Sequence, residues 1–318
     1  MGTCIHSTDR PPHHDATLSI ATRWSLNLPG ATARFDRNIR HMAATGASVP
    51  RAKVTVPSLL QAKLDKRRIA MITAYDATFA SIADEAGVDV LLVGDSVATV
   101  MQGERTTLPV SLDEMAYHTR IVAAARPKAL IVGDLPFGSY QQGPVMGIES
   151  SVRLIKVGAE CVKLEGGLSV AHVISAITAT DIPVMGHIGL TPQSYHRMGG
   201  NKIQGRQQGD QAGQRDRLLQ DAHAVEDAGA CAVVIEGVPA DLAAEITEKL
   251  SIPTIGIGAG AACDGQVLVL HDVLGLSRRK LSFAKPFADL LTVSTNAISD
   301  YVQEVRDGSW PDAEHSFS

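Results

Sequence analysis

The chain has 318 residues, 45% hydrophobic and 20% charged, with a formal net charge of −5. That length accommodates one large barrel or two ordinary domains around a sizeable core. The mild negative charge offers no general attraction to nucleic acid, and 4% aromatic residues leave little for base stacking.

No apolar stretch is long enough to span a bilayer, so no membrane partner is expected. The cysteines, Cys4, Cys161, Cys231 and Cys263, form no C-x-x-C pair. Cys161 and Cys231 lie inside apolar runs, where inert packing is the usual fate. A reduced, cytoplasmic setting is the expectation. Residues 1–53 are rich in Arg, His, Pro, Ser and Thr, with few acids. They read as a poorly ordered extension, and a transit segment or a true start at Met42 stays open. Residues 54–318 then form a single catalytic domain.

In chain order, VPSLLQAKLDK from Val56 predicts a short amphipathic helix over a barrel end. The run Ile69 to Asp76 is apolar and ends in polar groups. A helix stopping at Gly87 follows, then the apolar run Val88 to Ser96. Ser111 with Glu114 three residues later is a capping-box pattern. Further apolar runs cover Ala129 to Phe137, Glu160 to Gly167, Ile182 to Leu190, Ala230 to Pro239, Ile252 to Gly260 and Gly265 to Gly275. Helical patterns separate most of them, and a last amphipathic helix covers roughly Pro286 to Val305. The polar segment Thr191 to Gln214 is too long for a simple connection and reads as a functional loop.

Continuous rather than alternating hydrophobicity marks strands covered on both faces, hence parallel. Eight such units over some 260 residues predict a closed (β/α)8 barrel. An open doubly wound sheet is the alternative, but AYDATF after the first run is no dinucleotide fingerprint.

Ionisable groups end one run after another: Asp76, Asp95, Asp134, Lys163 with Glu165, His187 and Glu236. In a barrel these ends meet on one face, where active sites of this fold lie. Lys163 and Glu165, two residues apart on a strand, leave the same face. The bland reading makes them a surface ion pair. Asp95, Asp134 and Glu165 would repel one another unless a cation joined them, and oxygen-only ligation suits Mg²⁺. Glu236 follows the apolar AVVI, a setting for a general base. His187 is read as a substrate contact, against the commoner case of a satisfied core histidine. IGIGAG (Ile255 to Gly260) could cradle phosphate or serve close packing. Lys202 and Arg206 could steer an anion.

LLVGDS, TLPVSLDEMAYHT, DLPF, VKLEGG, GHIGLTPQS, IQGR, IPTIGIGAG and DGQVLVLHD together resemble the ketopantoate hydroxymethyltransferase family. The resemblance runs from Lys53 to Phe317. It implies a TIM barrel of the phosphoenolpyruvate/pyruvate type, one Mg²⁺ per subunit and 5,10-methylenetetrahydrofolate as co-substrate. It implies metal binding by Asp95, Asp134 and Glu165. Substrate contacts would come from Asp95, Ser96, Asp134 and Lys163, and Glu236 would accept the proton. The product would be 2-dehydropantoate, on the way to pantothenate, and a homo-oligomer, typically a decamer, is implied. The segment QGRQQGDQAGQRDR, residues 204–217, is expanded relative to the family.

Two other readings use the same residues. One is a Mg²⁺-dependent carbon–carbon lyase of the same barrel class. The other is a non-catalytic barrel that binds metal and oxo acid for sensing.

Overall fold

A computed structural model describes residues 51–206, 214–278 and 281–317 of the chain. Ala52–Ser318 forms one compact unit. Most of the expected N-terminal extension lies outside the described residues, as does the middle of the expanded segment, 207–213. Lys53 belongs to the barrel rather than to the extension. Its ammonium bonds Ala129 O at 2.7 Å and Glu160 Oε2 at 2.5 Å.

Eight parallel strands close into a barrel in sequence order. They are β1 Ile69–Thr73, β2 Val90–Val93, β3 Leu130–Asp134 and β4 Cys161–Lys163, then β5 Val184–Gly189, β6 Ala232–Glu236, β7 Thr254–Ile257 and β8 Gly265–Leu268. β1 pairs with β8, which completes the ring. The (β/α)8 expectation holds. The eighth run is strand only at its start, because a short helix, Leu270–Val273, takes its second half.

Alternation along each strand sorts side chains into two cores. Outward residues such as Leu91, Ile131, Val162, Val184 and Val233 pack under the helices. Inward residues Met71, Val90, Leu130, Cys161, Met185, Ala232, Ile255 and Val267 fill the barrel. The Val56–Leu64 helix closes the lower end by adding Leu59 and Ala62 to that inner layer. Cys161 and Cys231 pack there with Sγ atoms 3.8 Å apart.

Local signals read from the sequence hold where they can be checked. Ser111 and Glu114 form the expected capping box at the Leu112–Ala124 helix. Gly87 takes a positive φ of 90° just beyond its helix. The Leu290–Asp307 helix, by contrast, has no buried residue, and Ile298 and Tyr301 on it are 63% and 57% exposed.

Candidate active site

The inward positions that carry hydrocarbon low in the barrel carry polar groups at its upper end. In β3 the inward series is Leu130, Val132, Asp134. In β4 it is Cys161 then Lys163, in β5 Met185 then His187, and in β6 Ala232, Val234, Glu236. The site is thus the top layer of the barrel interior, mounted on strands. Asp95 and Ser96 lie just beyond β2, and Glu165 just beyond β4. All of these line one cleft of about 1040 Å³. That is at the upper end of typical ligand sites, roughly 300–1,000 Å³.

Asp134 and Lys163 are register partners, and they are 1% and 3% exposed. The Lys163 ammonium donates to both Asp134 oxygens, at 2.7 and 2.8 Å. Lys163 therefore forms no surface pair with Glu165. Burial opposes its charge, but Asp134, Glu165 and Asp95 outweigh burial and raise its pKa. Burial also raises Asp134 above the usual carboxylate value, against the pull of Lys163. Asp95 is pushed well above that value by burial, then by the charges of Asp134 and Glu165.

His187 stands between two carboxylates. Nδ1 faces Glu165 Oε1 and Nε2 faces Glu236 Oε2, each at 3.3 Å. Burial and Lys163 disfavour its cationic form, yet Glu165 and Glu236 prevail and raise its pKa to about 9. Glu165 is held below the ordinary value: burial opposes ionisation, but His187, Lys163 and the Gln193 N–H outweigh it. Ser96 Oγ bonds the Tyr75 hydroxyl at 2.8 Å.

At this floor, four carboxylates (Asp95, Asp134, Glu165 and Glu236) meet two basic groups, Lys163 and His187. The excess of buried oxygen charge fits a hard divalent cation. Among the described residues, no three His, Cys, Asp or Glu side chains form a ready-made cage. Mg²⁺ does not need one, because it is usually held by one or two carboxylates with waters and substrate oxygens.

The other sequence readings divide. Asp76 ends β1's run as an acid, but it caps the Ala77–Glu85 helix by accepting from Phe79 N at 2.9 Å. In IGIGAG, a Cβ on Gly258 would meet the Phe283 ring at 3.2 Å, and one on Gly260 would meet Ala240 at 2.6 Å. Those glycines permit close packing. Lys202 is exposed, beside the cleft residues Asn201 and Ile203.

Two residues were missed. Gln193, in the Pro192–Ser194 turn, donates from Nε2 to Asp95 Oδ2 at 3.0 Å and from its backbone N to Glu165 Oε2 at 2.9 Å. Tyr140 donates to Gln193 Oε1 at 2.7 Å. Gln193 lay within the quoted motif GHIGLTPQS without being singled out, and the sequence signal for Tyr140 was its position after β3.

The family model for ketopantoate hydroxymethyltransferase matches residues 53–313. The chain belongs to the ketopantoate hydroxymethyltransferase family. A 3-methyl-2-oxobutanoate hydroxymethyltransferase of Trichlorobacter lovleyi is 55% identical over 270 residues, 84% of this chain and 100% of that one. One of that name from Caldivirga maquilingensis is 51% identical over 265 residues, 83% of this chain and 98% of the relative. The chain is an enzyme, a hydroxymethyltransferase of this family.

Among solved structures, a 2,3-dimethylmalate lyase of the PEP mutase/isocitrate lyase superfamily aligns with a TM-score of 0.54 and 18% identity, over 83% of this chain and 92% of that one. Oxaloacetate acetylhydrolase with 3,3-difluorooxalacetate aligns at 0.54 and 16%, over 81% and 88%. These establish the barrel type and nothing of the chemistry. The lyase reading thus shares only a fold with this chain. Among the described residues, no helix is long and apolar enough to cross a membrane.

Proposed function

We propose that this barrel transfers a hydroxymethyl group from 5,10-methylenetetrahydrofolate, with water, to 3-methyl-2-oxobutanoate. The products are 2-dehydropantoate and tetrahydrofolate, for pantothenate synthesis. The observation that carries the reading is one floor holding a carboxylate cluster, a buried ammonium and a separate carboxylate, Glu236, beside His187.

Asp95, Asp134 and Glu165 are the residues that would hold Mg²⁺. Bound there, the ion supplies a Lewis acid for the ketone and carboxylate oxygens of the oxo acid. Lys163 and Ser96, with the Asp95 and Asp134 carboxylates, orient that acid at the floor. Lys163 stays charged where negative charge develops on the ketone oxygen. Glu236 takes the C3 proton, and C3 then attacks the one-carbon unit. His187 spans Glu165 and Glu236, so it keeps the base at a fixed distance from the acid cluster and lines the substrate space. The cleft is far larger than a five-carbon acid and leaves room for a bulky donor.

A homo-oligomer, decameric as in the family, belongs to the same proposal. The uncovered apolar residues of the Leu290–Asp307 helix support it. A cytoplasmic setting is proposed on the unpaired Cys161, Cys231 and Cys263.

The test is Glu236→Gln. The variant is expected to bind 3-methyl-2-oxobutanoate by calorimetry but to lose exchange of its C3 proton in heavy water. Full exchange in the variant removes Glu236 as the base. Assaying dehydropantoate with and without methylenetetrahydrofolate and chelator separates transferase, lyase and sensor. A sensor binds without turnover, and a lyase ignores the folate.

A further inference from the structure

Asp95 and Glu165 come from different strands, and one residue from a third strand's loop ties them together. Gln193 is 7% exposed, although it sits in a segment whose composition is that of a surface loop. Its side-chain nitrogen donates to Asp95 Oδ2 and to Leu135 O, both at 3.0 Å. Its side-chain oxygen accepts from the Tyr140 hydroxyl at 2.7 Å and from Gln141 Nε2 at 3.1 Å. Its backbone N–H reaches Glu165 Oε2 at 2.9 Å.

A primary amide has two N–H donors and an oxygen with two lone pairs. All four are used here. Turning the amide over would face oxygen to the Asp95 carboxylate and nitrogen to two donors, so the orientation is locked. The Tyr140 hydroxyl also accepts from Glu165 N at 3.1 Å and has Glu165 O at 3.0 Å as a second acceptor, so the lock rests on Asp95, Leu135 O and Gln141. Side chain and backbone of one residue therefore fix two carboxylates, from just beyond β2 and just beyond β4, relative to each other. An apolar side chain would fill the same volume and keep only the backbone bond to Glu165.

We propose that Gln193 is a positioning residue that holds the Asp95 and Glu165 carboxylates in one fixed relation for the cation they share. The proposal rests on the Mg²⁺ reading above. It assigns to the Pro192–Ser194 turn a task at the floor of the site.

The test uses the full chain as wild type, Gln193→Met, Tyr140→Phe and the double variant. Mn²⁺ is titrated alone by electron paramagnetic resonance. C3-proton exchange of 3-methyl-2-oxobutanoate is followed in heavy water at saturating metal, and thermal midpoints are recorded. Gln193→Met is expected to weaken Mn²⁺ binding and slow exchange by about 10–100-fold, the usual effect of losing a partner that orients ligands. Its midpoint falls, because buried groups lose a partner, and both readouts are taken below the onset of unfolding. Tyr140→Phe moves both readouts in the same direction by less, and the double variant is no worse than Gln193→Met alone.

Unchanged Mn²⁺ affinity and exchange in Gln193→Met overturn the proposal. So does a loss that tracks the unfolded fraction only. If Gln193→Met does not fold, Tyr140→Phe decides, and unchanged affinity and exchange in it overturn the proposal. If the wild type binds no Mn²⁺, the metal reading falls, and the exchange rates alone judge Gln193.

Discussion

The Lys163 ammonium straddles the Asp134 carboxylate, 2.7 Å from one oxygen and 2.8 Å from the other, across the parallel pairing of β4 with β3. Both side chains are almost fully buried. Removing one partner of such a pair leaves a charge without water or counter-ion. Lys163→Met should therefore destabilise the fold by about 3–5 kcal/mol. The Lys163→Met, Asp134→Asn double variant should be less destabilised than Lys163→Met alone. Urea denaturation of the three proteins decides it. Equal loss in single and double variants would mean that the cost is packing, not charge.

The Val56–Leu64 helix is tied to the barrel by Leu59, which has no exposed surface and packs among Ile69, Met71 and Val90. Leu59→Ala should cost about 2–5 kcal/mol, as large-to-small core changes do. The lesion lies at the far end from the chemistry, so kcat at a permissive temperature should barely change. Stability by calorimetry and steady-state kinetics on one preparation test both halves.

Glu226 joins the Gln214–Asp227 helix to the turn before β7. Its Oε1 accepts from Ser251 N and Ser251 Oγ at 2.6 Å and from Ile252 N at 3.2 Å. Partial burial opposes ionisation, but these bonds outweigh it and lower the pKa below 4.5. A depressed carboxylate stabilises the fold above its unfolded value and loses that contribution as pH falls through the folded one. Glu226→Gln should thus be less stable than wild type at neutral pH, and the gap should close below pH 4.5. Melting both proteins across pH 3 to 8 checks the sign; a constant gap would refute it.

The Leu290–Asp307 helix presents Leu291, Ile298, Tyr301 and Val305 at helical spacing. If subunits associate through this stripe, Ile298→Glu with Tyr301→Glu should shift the protein to smaller species. Sedimentation velocity on the variant and the wild type gives the answer. A wild type that sediments as a monomer would end the oligomer proposal.

The barrel was legible because burial on both faces leaves uninterrupted apolar runs, and period two places Asp134, Lys163, His187 and Glu236 on the inward side at the upper end. Lys163 and Glu165 were legible as a pair, but not their partners, since Asp134 pairs with Lys163 through strand register. Asp76 shows the limit of such reading. An acid after a strand serves equally to cap the next helix, and nothing local distinguishes the two uses. Gln193 escaped because its burial depends on contacts with Asp95 and Tyr140, 98 and 53 residues away in the chain. The glycines of IGIGAG are legible as special positions, but only packing partners such as Phe283 and Ala240 say what each one permits.

The inward layers place hydrocarbon and a plug helix directly beneath the charged floor. On the proposed function, an oxo acid bound at this floor would have to arrive before a folate seated above it, and its lengthened product would leave after the folate.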